Sequence, residues 1–132
     1  MKLIEQRYLI HASPEKVWDA LVNPEMIEKW GGGPAKMSAE VGFEFSLWGG
    51  EVYGRNVKVA NPEKGEKKLV QEWYGGEWEY PSIVTFIINA DDHSTEVILK
   101  HKDLPEDEVK SFAEGWKDFY MGPIKKLLER SK

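Results

Sequence analysis

The most regular hydrophobic pattern in the chain lies in its last quarter, over residues 106–130. Apolar side chains recur there at intervals of three and four, which places them on one face of an α-helix. These side chains are Val109, Phe112, Ala113, Trp116, Phe119, Tyr120, Ile124 and Leu127. With the rise of an α-helix, the predicted helix is roughly 35 Å long. A face this wide and aromatic must be covered by another layer.

Two features break the regularity of this predicted helix. Gly115 lies near its middle, and we interpret it as allowing a close approach of the covering layer. Pro123, which follows Gly122, has no N–H to donate to the carbonyl of Phe119. A kink is therefore predicted at residues 121–123.

Upstream of this helix the pattern has a period of two, which is typical of strands. The predicted strands are residues 2–11, 35–41 (weak), 43–47, 51–59, 68–74, 82–90 and 95–102. In the strand 51–59, alternation directs Tyr53, Val57 and Val59 inward. Gly49 and Gly50 predict a two-residue hairpin turn with positive φ.

Two helix starts follow the first strand. Ser13 precedes Pro14, and Asn23 precedes Pro24, and each pair is an N-cap followed by proline at the first helical position. These signals predict two short helices before the run of strands. The sequence therefore predicts a single α+β domain over residues 1–132, with a curved antiparallel sheet of about six to seven strands wrapped on one long C-terminal helix.

Composition excludes several classes of function. Lys and Arg number 18 against 23 Asp and Glu, a net charge of -5, so binding of nucleic acid is not expected. No stretch is long and apolar enough to span a bilayer, and there is no cysteine for disulfides or thiolate metal sites. The histidines His11, His93 and His101 lack metal-ligand spacing. We expect a cytoplasmic protein without metal or cofactor.

The order of elements and several sequence segments resemble one known family. These segments are HASPEKVWDAL, NPEMIEKW, GFEFSLWGGEVYG, KKLVQEW, STEVILKH, LPEDE and GWKDFY with IKKLL. Together they resemble the C-terminal domain of the heat shock protein 90 ATPase activator homologues, in the START-like, or helix-grip, superfamily. The resemblance implies a curved sheet closed on one long helix, with room for a cavity between them. It also implies a stress-related or chaperone-related role.

Aromatic residues at such spacings are more often part of a core than of a ligand pocket. However, Trp and Tyr carry polar atoms that need partners, and a pocket lined by aromatic rings with a few polar groups fits so many of them better. The predicted cavity residues are Phe45, Tyr53, Arg55, Val84, Phe86, Leu99, His101, Trp116, Phe119 and Tyr120. The predicted gate residues are Trp30, Trp78, Tyr80 and Pro123. We expect any opening of the cavity to solvent at the loop 75–81 and at the break at Pro123.

Three polar positions leave alternatives open. His101 is in phase with Leu99, so it is either a residue at the cavity rim or a satisfied structural histidine. Arg55 is in phase with Tyr53 and must be paired, either with a ligand acid or with a protein carboxylate. Glu72 and its neighbours near Trp73 are either perturbed acids or solvated charges.

Three functional hypotheses follow. The first is a non-catalytic domain that binds a small apolar ligand between sheet and helix. The second is a protein-interaction module for the heat shock protein 90 chaperone, acting through the loops 30–34 and 75–81. The third is an enzyme of hydrolase or cyclase type, although no nucleophile motif supports it.

Overall fold

The computed structural model describes residues 3–130. Its strands are β1 (Leu3–Ile10), β2 (Glu44–Leu47), β3 (Val52–Ala60), β4 (Lys67–Gly75), β5 (Ser82–Asp91) and β6 (Ser94–Lys102). They form one antiparallel sheet in the order β1-β6-β5-β4-β3-β2. The predicted α+β class with an antiparallel sheet is confirmed. Lys2, the predicted start of the first strand, lies outside the described residues.

Two short helices follow β1, as predicted: α1 (Pro14–Val22) and α2 (Pro24–Trp30). The Ser13 hydroxyl accepts from the backbone N–H of Lys16 at 3.2 Å. The Asn23 side chain accepts from the N–H of Glu25 at 3.0 Å. Both side chains therefore satisfy N–H groups that have no partner within their own helix.

The chain closes with a helical layer over residues 106–130. A 3-10 turn (Glu106–Glu108) leads into α3 (Val109–Gly115), a π-helical segment (Trp116–Met121) and α4 (Gly122–Arg130). The N–H of Gly122 donates to the carbonyl of Lys117, five residues back. The single α-helix predicted here is thus divided. The departure from α geometry comes just before Pro123, which stands in the first turn of α4, where its missing N–H is tolerated.

The π segment changes which side chains face the sheet. The buried residues of the closing layer are Trp116, Tyr120, Met121, Ile124 and Leu128. Phe119, predicted on the covered face, is 67% exposed. That prediction is wrong because a π turn holds an extra residue, which rotates the following side chains around the axis.

The predicted strand 35–41 does not form. This stretch makes one isolated bridge, between Lys36 and Ser46. Further along, the carbonyls of Ser38 and Glu40 accept hydrogen bonds from the side-chain amide of Asn56, at 2.8 and 2.9 Å. A side chain therefore binds the carbonyls that a continued strand would have paired.

The turn between β2 and β3 is longer than predicted. Leu47 pairs with Val52, so four residues connect the strands where two were expected. Positive φ at Gly49 (67°) and Gly50 (101°) is confirmed, and Trp48 also has positive φ (49°). This turn projects the Trp48 ring toward the closing helical layer, where it lies 6.1 Å from Tyr120 between ring centroids.

Candidate functional site

A cleft of about 380 Å³ opens between the β2–β3 turn and the closing helical layer. Three regions of the chain contribute to it: the turn and the start of β3, the end of β4, and the stretch from α3 into the π segment. Its lining residues are Trp48, Glu51, Val52, Trp73, Ser111, Phe112, Gly115, Trp116, Phe119 and Tyr120. The cleft is therefore walled mainly by aromatic rings and lies at one end of the layer between sheet and helix.

The three indoles of the cleft are held in place by their N–H groups. Trp48 donates to the carbonyl of Gly31 at 2.9 Å, and Trp73 donates to the Gln71 side chain at 2.9 Å. Trp116 donates to Nδ1 of His101 at 3.0 Å. Because an indole has a single donor, none of the three rings has a polar group left for a ligand.

His101 lies behind the cleft, fully buried. Its Nδ1 must accept, since Trp116 can only donate, so the proton of the neutral ring sits on Nε2. Nε2 then donates to the Ser82 hydroxyl at 2.7 Å, and that hydroxyl donates to the carbonyl of Trp73 at 3.2 Å. Burial lowers the pKa of His101 from 6.5 to about 3. His101 is thus a neutral structural histidine with both ring nitrogens paired.

A second buried chain of amides supports Trp73. The amide of Gln71, whose oxygen accepts from Trp73, donates from its nitrogen to the Asn56 side chain at 2.9 Å. Asn56 continues the chain to the carbonyls of Ser38 and Glu40. A fully paired network of this kind fixes one rotamer for each member. It orients the Trp73 ring, which forms part of the cleft wall.

Tyr120 occupies the centre of the aromatic cluster. Its ring lies 4.5 Å from Trp30 and 4.7 Å from Trp116 between centroids. It is 2% exposed, and its hydroxyl has no hydrogen-bond partner among residues 3–130. Burial raises the pKa of this phenol, so the hydroxyl is neutral. Burying this hydroxyl lowers the free energy of unfolding, and no hydrogen bond within the described residues offsets the loss.

The cleft brings together three of the predicted cavity residues: Trp116, Phe119 and Tyr120. Four others are buried without lining it, namely Phe45, Val84, Phe86 and Leu99. The Phe86 ring, for example, packs 5.9 Å from Tyr120 and 5.7 Å from Trp116. The middle of the layer between sheet and helix is therefore filled, and the open space lies at its edge.

The predicted inward orientation of Tyr53, Arg55 and Val57 is wrong. All three are on the exposed side of β3, while Asn56 is buried. The Arg55 guanidinium pairs with the Glu72 carboxylate at 2.9 Å, which is the alternative of a protein carboxylate. The phase of the strand is set by the buried amide of Asn56, and a bulge after Asn56 shifts the register that follows.

The four predicted gate residues lie apart from the lining of the cleft. Trp30 is buried, with its indole N–H bound to the carbonyl of Ala20 at 2.9 Å. The Trp78 ring packs 5.4 Å from Phe112, which does line the cleft. Tyr80 is 75% exposed. Pro123 lies in α4, beyond the π segment.

Several lining residues were missed in the sequence. Trp48 and Glu51 flank the two glycines, and Ser111 lies beside Phe112 on α3. A signal for the first two was present, because a tryptophan at a Gly-Gly turn is exposed unless something covers it. Gly115 had been interpreted as allowing the sheet to approach. Instead, a Cβ there would meet only the Phe119 ring, at 4.0 Å, so Gly115 borders open space.

Two further observations concern the described residues alone. Over residues 3–130, no three or more His, Asp or Glu side chains converge in a group that could hold a metal ion. Within the same range, no helix has the length and apolar character needed to cross a membrane.

Comparisons with known proteins agree with the architecture. The human protein named Activator of 90 kDa heat shock protein ATPase homolog 1 is 24% identical over 115 residues, covering 86% of this chain and 33% of the human protein. The Dictyostelium discoideum homologue of that activator is 29% identical over 127 residues, covering 94% of this chain and 32% of its own. The chain thus spans about a third of the length of these curated relatives.

The solved structures place the fold. An HSP90 activator from Plasmodium falciparum superposes with a TM-score of 0.86 at 21% identity, covering 98% of this chain and 97% of that chain. This likeness agrees with the predicted fold, an antiparallel sheet covered by a C-terminal helical layer. Residues 11–129 match the family model described as Activator of Hsp90 ATPase homolog 1-like protein. The chain therefore belongs to the family of Activator of Hsp90 ATPase homolog 1-like proteins.

Proposed function

We propose that the chain is a single, non-catalytic binding domain whose aromatic cleft takes a small, largely apolar ligand. The supporting observation is the cleft itself: about 380 Å³, walled by Trp48, Trp73, Trp116 and their aromatic neighbours. Its volume lies within the range of small-molecule sites, and aromatic walls with few polar groups are typical of them. The ligand site proposed here is this edge cleft, in place of a cavity in the middle of the layer.

The rigid mounting of the indoles supports the same proposal. Each indole N–H is bound to the protein, so the rings are already oriented before a ligand arrives. A preformed site loses less conformational entropy on binding than one that must be ordered. His101 contributes by fixing Trp116 and makes no contact with the ligand in this proposal.

The experiment is an NMR titration of the 15N-labelled protein with a panel of small aromatic compounds and lipids. We expect the indole N–H resonances of Trp48, Trp73 and Trp116 to shift. A Gly115→Leu variant places a side chain in the cleft and should abolish the shifts. Tyr80→Ala removes an exposed aromatic residue outside the cleft and should leave them unchanged. If no compound moves the indole signals of the wild-type protein, the proposal is wrong.

The second candidate is a protein-interaction module for the heat shock protein 90 chaperone. Membership of the activator family favours it, although the chain corresponds to about a third of the curated relatives. Of the two loops predicted as its surface, the loop 75–81 keeps an exposed aromatic residue, Tyr80, whereas Trp30 is buried. Stimulation of chaperone ATPase by the purified chain, reduced by Tyr80→Ala, is the expected result. If the ATPase rate of the chaperone does not rise at a saturating concentration of the chain, this candidate function is wrong.

The third class, a hydrolase or cyclase, gains no support from the cleft, where the buried histidine is fully paired and has no contact with the lining carboxylate, Glu51. Localisation in the cytoplasm remains a prediction from composition.

A further inference from the structure

One charged side chain lines the cleft among the described residues, and it is negative. Glu51 is the last residue of the β2–β3 turn; it is exposed and lines the cleft. Its carboxylate makes no salt bridge and no side-chain hydrogen bond within residues 3–130. The carboxylates at Glu72 and Glu129, in contrast, are each paired with a cation of the protein. Glu51 is therefore free to pair with a ligand.

The rest of the lining carries no cationic side chain for an anion within residues 3–130. No Lys, Arg or His is among the cleft residues, and the three indole donors are already bound to Gly31, Gln71 and His101. Of the two hydroxyls in the lining, that of Tyr120 is buried and that of Ser111 is neutral. The larger part of the lining is aromatic, and ring faces carry the negative end of the aromatic quadrupole. A carboxylate or phosphate ligand would meet these faces and the Glu51 charge without a compensating donor from a charged side chain.

The same features suit a cation. An ammonium group near the face of Trp or Tyr is attracted by the quadrupole, and aromatic cages are a known means of holding organic cations. The cleft has three tryptophans, Tyr120 and two phenylalanines around it. Glu51 adds a counter-charge on the solvent side, where the ligand's desolvation is smallest.

From this arrangement we infer that the ligand of the cleft is an organic cation, an amine or quaternary ammonium group attached to an apolar or aromatic body. The inference rests on the proposed function, because it names the chemical class of the ligand in the same cleft. The apolar body lies against the tryptophans, and the cationic group faces Glu51.

The test compares three compounds that share a phenyl group and a short chain and differ in charge: 2-phenylethylamine, 2-phenylethanol and 3-phenylpropanoate. Each is titrated into the 15N-labelled protein at pH 7 and matched ionic strength, because exposed charges are screened by salt. The dissociation constants come from the indole N–H shifts. We expect the amine to bind about tenfold more tightly than the alcohol, from the sum of a cation–π contact and an exposed ion pair, and the carboxylate to bind most weakly.

Two variants locate the charge that matters. Glu51→Gln keeps the size of the side chain and removes its charge, so the preference for the amine should fall to about threefold, the part due to the aromatic faces. Glu63→Gln removes another exposed carboxylate, which does not line the cleft, and should leave the preference unchanged. Equal thermal stability of the two variants shows that any difference comes from binding.

The outcomes separate the two proposals. If the alcohol binds as tightly as the amine, or the amine's preference survives Glu51→Gln unaltered, the inference of a cationic ligand is wrong while the cleft remains a binding site for neutral apolar molecules. If the carboxylate binds best, the inference is also wrong. If none of the three compounds shifts the indole signals, the inference is overturned together with its use of the cleft, and the panel titration decides the proposed function separately.

Discussion

The two helices on either side of the π segment are attached to the protein very differently. In α4, Ile124 and Leu128 are buried, and the helix packs against α1, α2 and β1. In α3, no residue is fully buried, and Phe112 and Gly115 border the cleft. A helix with few buried contacts belongs to the less stable part of a fold. The cleft therefore exists because α3 is covered incompletely, while α4 anchors the closing layer.

The junction between the two helices gives the largest expected effect. Trp116 begins the π segment and is tied to His101, whose pKa burial lowers from 6.5 to about 3. Below pH 6.5 this histidine binds a proton in the unfolded chain but stays neutral in the folded protein. The contribution of neutral His101 to the free energy of unfolding is therefore fully present above pH 6.5 and is lost as the pH falls toward 3. The contribution lost is at most about 5 kcal/mol.

Urea unfolding at a series of pH values measures this loss, and the NMR signal of the His101 ring measures its protonation. His93→Gln removes an exposed histidine in the β5–β6 turn and should leave the steep loss in place. If the His101 ring titrates near pH 6.5, the buried hydrogen bond from Trp116 to His101 does not form as described.

Truncating one side chain in α4 and one in the π segment beside the cleft should show the difference in burial between these two parts of the closing helical layer. Ile124→Ala removes a fully buried side chain of α4 and should cost about 2–5 kcal/mol of unfolding free energy. Phe119→Ala removes a larger side chain that is mostly exposed at the cleft, and should change stability by about 0.5 kcal/mol or less. Chemical denaturation of both variants measures the difference. Equal losses would mean that the Phe119 side of the layer is as well covered as α4.

The two glycines of the closing helical layer differ in the space around them. A Cβ at Gly122 would overlap the carbonyl oxygen of Lys117, so Gly122→Ala should destabilise by about 1–3 kcal/mol. A Cβ at Gly115 meets open space, so Gly115→Ala should stabilise by about 0.5–1 kcal/mol through helix propensity. Thermal unfolding of the two variants shows whether each substitution raises or lowers the stability. A stabilising Gly122→Ala would show that the π segment relaxes to α geometry at little cost.

Tyr120→Phe is expected to have the smallest effect. The hydroxyl is buried without a described partner, so removing it should leave stability unchanged or raise it by about 1 kcal/mol. Denaturation in urea measures this, with Tyr80→Phe as the control at an exposed tyrosine. A loss of more than about 1 kcal/mol would mean that the hydroxyl makes a hydrogen bond that the described residues do not account for.

The sequence predicts the frame of this molecule well, for local reasons. Ser13 with Pro14 and Asn23 with Pro24 define helix starts through contacts within four residues. The alternation in β5 and β6 follows directly from burial on one face. The helical layer over residues 106–130 was also predicted, although as one α-helix, because its apolar period is carried by large side chains such as Trp116 and Ile124. Element order and fold class depend on such near-neighbour signals.

The cleft was predicted only in part, because it depends on shifts of phase that no local pattern records. The π segment adds a residue, which moves Phe119 into solvent and turns Met121 inward. In β3, Asn56 is polar yet buried, because its amide partners lie on a distant loop and on Gln71. Alternation alone therefore assigned Tyr53 to the wrong face. Trp48 lines the cleft because the β2–β3 turn has four residues, and the two glycines alone do not determine that length.

The pairing of Trp73 with Trp116 also has an optical consequence. Their rings lie 4.8 Å apart at 35° between planes, close enough for the excited states of the two indoles to couple. Coupled indoles give a circular dichroism couplet, which should vanish when either is replaced by phenylalanine. Since both rings line the cleft, any molecule that enters it changes the surroundings of the pair. The protein thus carries its own spectroscopic reporter, readable without a label.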